Sequence, residues 1–399
     1  MSSSIDIYSD QALRDLCAAM AGQPFVAMDT EFIRERTYWP ILALVQVSWP
    51  GQDPVLIDPL PIEDWEPLHV IMRNPGIRKV FHSARQDLEI FYQQMKEMPA
   101  GIFDTQIAAS MCGFGDQISY SALVNRLLDV MLPKGNSFTN WLQRPLTAEQ
   151  IRYARDDVLY LPGVYNQLRE LAVSRGRLAH IEEEIGLQLH PGLFDPDPDQ
   201  LWRKVKKAGS LRQKDLPVLQ ALAAWRDQTA QRQNKPVRFV ISDEVLVELA
   251  KVPTLTLEGL KARRGLHPRM LGRYADDMIQ LHAEARAKPK SEWPHSKQSG
   301  RPPSDKSESL ADLVWLLIKE IAHTADMSPA NIILKRDLPG YIDALIFNRD
   351  TRSYPIEHGW RRDLVGQPLR NLLKGQLIIK VKRHRIVWEE KAENGKDPT

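Results

Sequence analysis

The feature that most constrains this chain is an apolar run that leads directly into two carboxylates. Residues 25–28 are Phe, Val, Ala and Met, and Asp29 and Glu31 follow two positions apart. A continuous apolar run of this kind predicts a strand that is buried on both faces of a sheet. Side chains two positions apart in a strand point to the same face. Both carboxylates are therefore expected to project together from the centre of the sheet.

Two negative charges at the centre of a sheet need compensation, because burial of an unpaired charge is costly. A hard divalent cation such as Mg²⁺ is the natural partner for two carboxylates. The alternative is a strand whose end reaches solvent and carries two hydrated acids at its tip. The pair alone leaves both interpretations open, since short motifs often match by chance.

The first half of the chain alternates between strand and helix patterns. Three strands in succession, followed by a strand–helix–strand unit, imply a mixed sheet flanked by helices. The predicted strands are residues 25–32, 42–49, 54–59, 79–82 and 101–105, the predicted helices are 63–73 and 85–95, and helical patterns run from 105 to 185.

The second half is mainly helical and contains two breaks. Residues 191–200 form an acidic, proline-rich connector, and residues 288–307 are rich in Lys, Ser, Pro and Gly, which is typical of a flexible linker. Helical patterns cover 211–287 and 308–375, and residues 377–381 predict a final strand. A chain of 399 residues is expected to form two or three domains.

The composition excludes several classes of protein. No apolar run approaches the roughly 18 residues that a membrane helix requires, and the first six residues lack the features of a signal peptide. The two cysteines, Cys17 and Cys112, are too few for a disulfide framework or a zinc cluster. We therefore expect a cytoplasmic protein with no membrane association and no obligate protein partner.

The charge is distributed unevenly along the chain. Residues 1–200 carry a net charge of −11 and residues 201–399 carry +13, which together give the +2 of the whole chain. A basic half of this kind attracts polyanions such as nucleic acids. Domain surfaces also differ in sign in proteins without such partners, so the charge alone leaves the partner open.

Two further acids stand out by their positions. Asp87 lies where a buried strand gives way to a helix, at the edge of the apolar face of that helix. An Asp in a first helical turn is also favoured by the helix dipole alone. Asp157 lies in a helix that begins with a capping box at Thr147. Helical spacing places Asp157 beside Tyr153 at the border of the apolar face, and turns Asp156 towards solvent.

Together these residues suggest more than each does alone. Two divalent ions about 4 Å apart are held by several carboxylates that converge from different elements. Such ions activate a water molecule and stabilise the charge that develops during phosphodiester hydrolysis. A tyrosine hydroxyl beside them can orient the attacking water or help to deprotonate it.

The sequence resembles ribonuclease D, of the DEDD superfamily of 3′→5′ exonucleases. The three motifs of that superfamily correspond to residues 25–32, 79–89 and 153–158. The third motif divides the superfamily into Tyr-x₃-Asp and His-x₄-Asp branches. Arg152 stands five positions before Asp157 and Tyr153 stands four before it, which places the chain in the tyrosine branch. Residues 141–147 are also similar to ribonuclease D rather than to a polymerase proofreading domain.

This resemblance implies a fold and a set of roles. The fold would be an α/β RNase H-like domain with a five-stranded mixed sheet and Asp29 and Glu31 on its central strand. Asp29, Glu31 and Asp157 would hold one metal ion, and Asp29 together with Asp87 would hold a second. The ions would be Mg²⁺ or Mn²⁺, and Tyr153 would position the nucleophilic water.

The resemblance extends into the helical half, where residues 222–227, 236–240 and 260–266 are similar to a helicase-and-RNase-D C-terminal (HRDC) domain. Residues 359–364 are similar to a second, divergent HRDC-like module. We therefore predict an exonuclease domain at 1–205, a first HRDC domain at 206–290, a flexible linker at 291–307, and a second HRDC-like domain with a C-terminal strand and tail at 308–399.

Several basic residues of the helical half are candidates for contacts with an RNA backbone, because such contacts give affinity without reading sequence. A solvated face of a small helical domain is the alternative for any one of them. The candidates are Arg203, Lys204, Arg226, Arg232, Lys235, Arg238, Arg263 and Arg264.

The leading hypothesis is a metal-dependent exoribonuclease that trims the 3′ ends of structured RNA and releases nucleoside 5′-monophosphates. The resemblance points to tRNA precursors as substrates. One alternative is a DNA 3′→5′ exonuclease with the same site, since both substrates present the same phosphodiester. Another is a non-catalytic RNA-binding scaffold, which predicts the loss of a ligand, whereas all four acids and the tyrosine are present.

Overall fold

The computed structural model describes residues 5–133, 139–294 and 303–390. Its N-terminal half is built on a five-stranded mixed sheet, as the sequence predicts, with strand order 3-2-1-4-5. The first strand pairs antiparallel with the second and parallel with the fourth, and it lies at the centre. The strands are β1 (Phe25–Ile33), β2 (Ile41–Trp49), β3 (Gln52–Ile57), β4 (Arg78–Phe81) and β5 (Ile102–Asp104).

The apolar run at the start of β1 is buried, as its sequence predicts. Val26, Ala27 and Met28 have no exposed surface. The pairing of β1 with β2 shifts register between Glu31 and Phe32. Such irregularities bend a strand and re-aim its side chains. Here the shift lies immediately beyond the second of the two carboxylates.

Helices cover both faces of this sheet. Thr147 and Gln150 form the predicted capping box at the start of the helix that carries Tyr153 and Asp157. The helices of this half are α1 (Asp10–Ala21), α2 (Glu66–Arg73), α3 (Arg85–Met95), α4 (Thr105–Met111), α5 (Tyr120–Leu128), α6 (Ala148–Leu159), α7 (Leu161–Ser174) and α8 (Leu178–Gln188).

Two features of this half differ from the sequence analysis. Helix α1 was not predicted, although its buried residues Leu13, Leu16, Cys17 and Met20 follow helical spacing. The described residues between α5 and α6 are not helical, whereas the sequence pattern predicts helix from 105 to 185.

The first helical module has a hydrophobic core of its own. That core centres on a long helix at Leu216–Gln233 and also takes in Leu201, Trp202 and Val205, which precede the predicted boundary at 205/206. Residues 191–200, expected to be a connector, overlap two short 3₁₀ helices, Pro191–Leu193 and Pro198–Lys204. The helices are α9 (Leu216–Gln233), α10 (Val237–Val240), α11 (Asp243–Lys251), α12 (Leu257–Lys261) and α13 (Pro268–Ala287).

The C-terminal module begins earlier than predicted. Ser304 caps a helix that starts at Asp305, so the last three residues of the predicted linker are helical. Residues 295–302 of that linker and the tail at 391–399 lie outside the described residues. The helices are α14 (Asp305–Thr324), α15 (Leu338–Ile346), α16 (Gly359–Arg361) and α17 (Gln367–Leu373), with a π-helical turn (Arg362–Gly366) between the last two.

The predicted final strand is one half of a hairpin. Strand β6 (Leu377–Lys382) pairs antiparallel with β7 (Arg385–Glu390), which was not predicted. The connecting residues Arg383 and His384 both have positive φ. Two-residue hairpin turns usually signal themselves by Asn-Gly or Asp-Gly, and this turn carries neither.

The C-terminal module shares a hydrophobic core with the exonuclease half. The core joins residues of α4, α7 and α8 to residues of α14, α15 and α17. Polar contacts cross the same boundary: Asn331 Nδ2 donates to the backbone carbonyl of Ser110 at 3.0 Å, and Arg175 pairs with Asp326 at 2.6 Å. Within the described part of the chain, no helix is long and apolar enough to cross a membrane.

One charged pair in this boundary is nearly inaccessible to water. Arg361 Nη1 lies 2.7 Å from Glu184 Oε2, and the two side chains are only 9% and 7% exposed. Replacement of Arg361 by Met should therefore leave a buried carboxylate without its partner. We expect the free energy of unfolding to fall by about 3–5 kcal/mol, measured by urea unfolding with tryptophan fluorescence.

The matched control is Arg352→Met, which breaks the exposed pair between Arg352 and Asp350. That change should cost less than about 1 kcal/mol, because surface pairs contribute little. Equal losses for the two substitutions would show that the pair in the shared core does not hold the module in place.

Candidate active site

Strand β1 brings its two acids into the middle of a cluster of carboxylates. Asp29 is influenced by Asp87, Asp157 and Glu31, and burial together with these negative neighbours raises its pKa well above the usual value. Burial raises the pKa of Glu31 to about 9, and the charges of Asp157 and Asp87 add to the shift. The four acids predicted from sequence therefore lie close enough to act on one another.

Asp87 is contributed by the first turn of α3, on the far side of β1 from α6. Its side chain is buried, and Thr30 Oγ1 donates a hydrogen bond to Asp87 Oδ1 at 2.5 Å. Burial raises the pKa of Asp87 to about 7, while the hydrogen bond from Thr30 opposes the shift. The Thr30 hydroxyl thus ties Asp87 to the strand that carries Asp29 and Glu31.

Asp87 lies in the first turn of α3, and a different carboxylate holds the turn before this helix. The carboxylate that organises this turn is Asp104, at the end of β5. Asp104 accepts hydrogen bonds from the backbone N–H groups of Ser83 and Ala84 at 3.1 and 2.8 Å, and also from Gln106 at the start of α4. Ser83 has a φ of 67°, an uncommon conformation for a residue other than glycine. Asp104 therefore stabilises the turn that sets the position of Asp87.

Helix α6 supplies Asp157 and Tyr153 from the other side. Burial raises the pKa of Asp157 to about 7, the charge of Asp156 adds to the shift, and the hydrogen bond from Tyr153 opposes it. Burial and the neighbouring carboxylates raise the pKa of Tyr153 above its usual value. The hydroxyl of Tyr153 is therefore protonated at neutral pH, which suits a hydrogen-bond donor that orients a ligand rather than a phenolate base.

The segment before α6 fixes this helix on the sheet. Trp141 packs beside Tyr153 with ring centroids 6.1 Å apart. Arg144 forms two hydrogen bonds to Asp58, at 2.6 and 2.8 Å, and a third to the backbone carbonyl of Ala43 at 2.8 Å. Residues 141–147, which support the family resemblance, thus anchor the helix that carries the third motif.

A second tyrosine lies at the site and was missed by the sequence analysis. Tyr120 is on α5, and its hydroxyl donates to the backbone carbonyl of Asp156 at 3.3 Å. Burial and the charges of Asp157 and Asp29 raise its pKa. Its ring lies 5.6 Å from that of His82. Only its position at the start of a helix was visible in the sequence, so nothing there linked it to the site.

The donor set fits divalent cations. All four groups are carboxylates, and the main influences on their pKa values include no Lys or Arg of the described residues. Gln46 lies opposite Asp29 on β2, and its buried amide finds no hydrogen-bond partner in the described part of the chain. The site therefore has unmatched negative charge and an unmatched polar group side by side.

The carboxylates are neighbours without forming a closed cage. In residues 5–133, 139–294 and 303–390, no three His, Cys, Asp or Glu side chains converge closely enough to enclose a metal ion. Mutual repulsion between carboxylates favours such separation in the absence of a bound cation. Small side-chain rotations are therefore part of any binding of cations at this site.

The predicted RNA-binding residues differ in accessibility. Arg226 corrects the prediction, because it is buried and uses its guanidinium on Asp243 at 2.7 Å and on the backbone carbonyl of Ile241. Arg263 pairs with Glu248 at 3.3 Å, and Arg203 lies over the ring of Trp202. The exposed members of the set are Arg203, Lys204, Arg232, Lys235, Arg238 and Arg264.

Comparison with known proteins places this geometry in context. A domain family described as 3′-5′ exonuclease matches residues 5–172, and the HRDC domain family matches residues 215–281. Ribonuclease D of Gluconacetobacter diazotrophicus is 36% identical over 383 residues, which are 95% of this chain and 95% of the relative. Ribonuclease D of Jannaschia sp. is 37% identical over 390 residues, or 95% and 98% of the two chains.

Solved structures agree with these relatives. The crystal structure of Escherichia coli RNase D, described as an exoribonuclease involved in structured RNA processing, matches with a TM-score of 0.80 and 31% identity over 94% of this chain and 99% of the other. A protein from Bifidobacterium adolescentis has a TM-score of 0.67 at 23% identity over 94% and 98% of the two chains, which shows a shared fold.

The raised pKa values predict how stability depends on pH in the absence of divalent cations. Free Asp has a pKa of about 3.9, whereas folding raises the pKa of Asp87 and of Asp157 to about 7. The folded state therefore binds protons that the unfolded chain releases. The stabilisation present below about pH 4 is lost as the pH rises through about 7.

Replacement of Asp157 by Asn removes a charge that is unfavourable at pH 8. Because each unit of pKa shift corresponds to about 1.4 kcal/mol, we expect the variant to be more stable than the wild type by more than about 1 kcal/mol. Urea unfolding in EDTA at pH 5 and pH 8 measures this. Asp53→Asn, on the exposed start of β3, is the control that should leave the pH dependence unchanged. An equal pH dependence in all three proteins would contradict the burial of charge at Asp157.

Proposed function

Because the chain belongs to the ribonuclease D family and is a 3′→5′ exoribonuclease, we propose that it trims the 3′ ends of structured RNA by two-metal-ion hydrolysis. The proposed products are nucleoside 5′-monophosphates, and the proposed substrates include tRNA precursors. The observation that carries the proposal is the clustering of Asp29, Glu31, Asp87 and Asp157 around the central strand, with Tyr153 beside them. The description of the E. coli relative, at 31% identity, supports structured RNA as the substrate class.

The proposed ligand sets follow from which carboxylates act on one another. Asp29, influenced by all three of the others, is assigned to both ions. Glu31 and Asp157 complete the first set, and Asp87 completes the second. Mg²⁺ or Mn²⁺ bound there would help to ionise the attacking water and stabilise negative charge on the phosphoryl oxygens and the leaving 3′ oxygen.

Other residues of the chain orient the attacking water and hold the acids in place. The protonated hydroxyl of Tyr153, which bonds Asp157, is assigned to orient the attacking water towards the terminal phosphodiester. Thr30 keeps Asp87 fixed against β1, and Asp104 keeps the turn before α3 in place. A site held in this way is organised before substrate arrives, which reduces the cost of reaching the transition state.

The charge of the second half of the chain supports RNA as the polymer that is held. The exonuclease half is acidic and repels a phosphate backbone, whereas residues 201–399 carry a net charge of +13. Cations that contact phosphates provide affinity without sequence readout. Such a division of charge suits an enzyme whose substrates share a 3′ end and a fold rather than a sequence.

Replacement of Asp29 by Asn tests the proposed mechanism. The variant keeps the shape of the side chain but lacks the charge assigned to both ions, so trimming of a 3′-extended tRNA in Mg²⁺ should fall by more than about 100-fold. The assay is a gel of end-labelled RNA combined with chromatography of the released nucleotides. Asp53→Asn should trim normally, and undiminished trimming by Asp29→Asn would exclude the mechanism. Equal rates on a matched DNA strand would argue against RNA as the preferred substrate.

The assignment of ligands also predicts a ranking. Asp29→Ala removes a ligand from both ions, whereas Glu31→Ala removes a ligand from one. Raised Mg²⁺ should therefore restore part of the activity of Glu31→Ala and little of the activity of Asp29→Ala. Titration of trimming rates with Mg²⁺ from micromolar to tens of millimolar distinguishes them, and the opposite order of recovery would reverse the assignment.

A further inference from the structure

The loop that leaves the catalytic strand is fastened to the first HRDC domain. Residues 34–40 connect β1 to β2, and the backbone N–H groups of Tyr38 and Trp39 both donate to Asn234 Oδ1, at 3.1 and 3.2 Å. Asn234 follows the last residue of α9 and has a φ of 47°. The end of α9 therefore lies against the loop that begins where the strand of Asp29 and Glu31 ends.

The side chain of Tyr38 strengthens this attachment. Its hydroxyl donates to the carboxylate of Asp227, with distances of 3.0 and 3.1 Å to the two oxygens, and accepts from Gln231 Nε2 at 3.2 Å. Gln231 in turn donates to Asp227 at 2.7 Å. Asp227 is buried, and the ring of Tyr38 packs against the core of the HRDC domain. We call Tyr38, Asp227, Gln231 and Asn234 the latch.

The latch fixes the position of residues 232–239, which surround Asn234. Besides Asn234, four residues between 232 and 239 are exposed: Arg232, Lys235, Arg238 and Phe239. The guanidinium of Arg238 lies 5.3 Å from the centre of the Phe239 ring, and that ring is 57% exposed. None of the three cations forms an ion pair with a described residue. We call these four residues the platform.

We propose that the platform binds single-stranded RNA on the 5′ side of the 3′ end that enters the active site. This proposal rests on the exonuclease function proposed above. A base stacks on the exposed face of Phe239, and the cations contact the neighbouring phosphates. The latch joins the platform to the loop at the end of β1. The RNA strand that leaves the active site can therefore pass from the acids to the platform without crossing a flexible linker.

The chemistry of the platform favours an unpaired strand. An aromatic ring stacks on any exposed base, whereas the bases of a duplex are already stacked on one another. The unpaired cations supply the charge that a phosphate backbone needs. An acidic protein segment would use the same cations but would gain nothing specific from an exposed ring beside them.

A second exposed phenylalanine provides a matched control. Phe347 is 60% exposed and lies 5.7 Å from the guanidinium of Arg349. Arg349, however, is ion-paired with the buried carboxylate of Asp343. Phe347 also follows α15 in the C-terminal module, where nothing comparable to the latch connects it to β1 among the described contacts. The two sites share an Arg–Phe pair but differ in free charge and in connection to the catalytic strand.

The test compares KM and kcat for Phe239→Ala on RNA of increasing length. Loss of one stacking surface should raise the ratio of the KM for a single strand of about a dozen nucleotides to the KM for a dinucleotide by about 5- to 150-fold. The kcat on the longer RNA should change little. The separate variant Phe239→Trp, which keeps an aromatic ring, should show the wild-type ratio. Phe347→Ala should leave the ratio unchanged. An unchanged ratio for Phe239→Ala, or an equal rise for Phe347→Ala, would overturn the proposal.

Tyr38→Phe tests the contribution of the latch. The variant keeps the ring in the HRDC core but loses the hydroxyl that bonds Asp227 and Gln231. Tyr38 is a positioning residue in this proposal. The same KM ratio should therefore rise, but by less than in Phe239→Ala. The kcat on the dinucleotide should change by a smaller factor than the KM ratio. A general loss of kcat on both substrates would instead show that Tyr38 only stabilises the fold, and would overturn its role as a latch.

Direct binding separates this proposal from the proposed function. Fluorescence anisotropy of a labelled single strand, measured in the Asp29→Asn background, reports the platform without catalysis. Weaker binding after Phe239→Ala would support the platform even if the wild type released no nucleotides. If the wild type releases nucleotides normally and Phe239→Ala does not affect binding, the platform is excluded as an RNA-binding site and the exonuclease function stands. Equal competition by an acidic peptide and by RNA would assign the platform to protein and overturn the proposal.

Discussion

Four carboxylates held near one another with little solvent are the constraint on which the rest of this structure depends. Burial raises the pKa of each of Asp29, Glu31, Asp87 and Asp157, and the charge of at least one nearby carboxylate adds to each shift. Such an arrangement costs stability, and it persists only because the surrounding sheet and helices over-determine it. A site whose empty form is unfavourable is also one in which bound cations act with full strength, because little water screens them.

The supporting interactions come from each element that meets the site. Thr30 holds Asp87 against β1, and Asp104 holds the turn before α3. The capping box and Arg144 fix helix α6, whose last turn is bonded by Tyr120. Of these residues, Asp104 and Tyr120 lie outside the segments that carry the family resemblance. The acids supply the chemistry, and a different set of polar residues determines where the acids are.

The central part of this arrangement was predictable from sequence because it follows from periodicity. Strand alternation placed Asp29 and Glu31 together, and helix phase selected Asp157 rather than Asp156. Periodicity does not show which polar side chains will be buried in contacts with distant parts of the same chain. The sequence therefore predicts a phosphate contact for Arg226, whereas the structure shows it buried and paired with Asp243. For the same reason Asp104 and Tyr120, whose partners are distant in sequence, were not identified.

Attachment of both helical modules to the exonuclease half explains why an acidic domain can process an acidic polymer. The C-terminal module shares its core with α4, α7 and α8, so it is part of the body of the exonuclease rather than an appendage. The first HRDC domain is attached differently: its core is separate, and polar contacts of Tyr38 and Asn234 join it to the loop that follows β1. A rigid attachment lets the basic side chains attract a phosphate backbone from fixed positions at all times. Cations on a freely moving module would do so only for part of the time, and would lose orientational entropy whenever they engaged the strand.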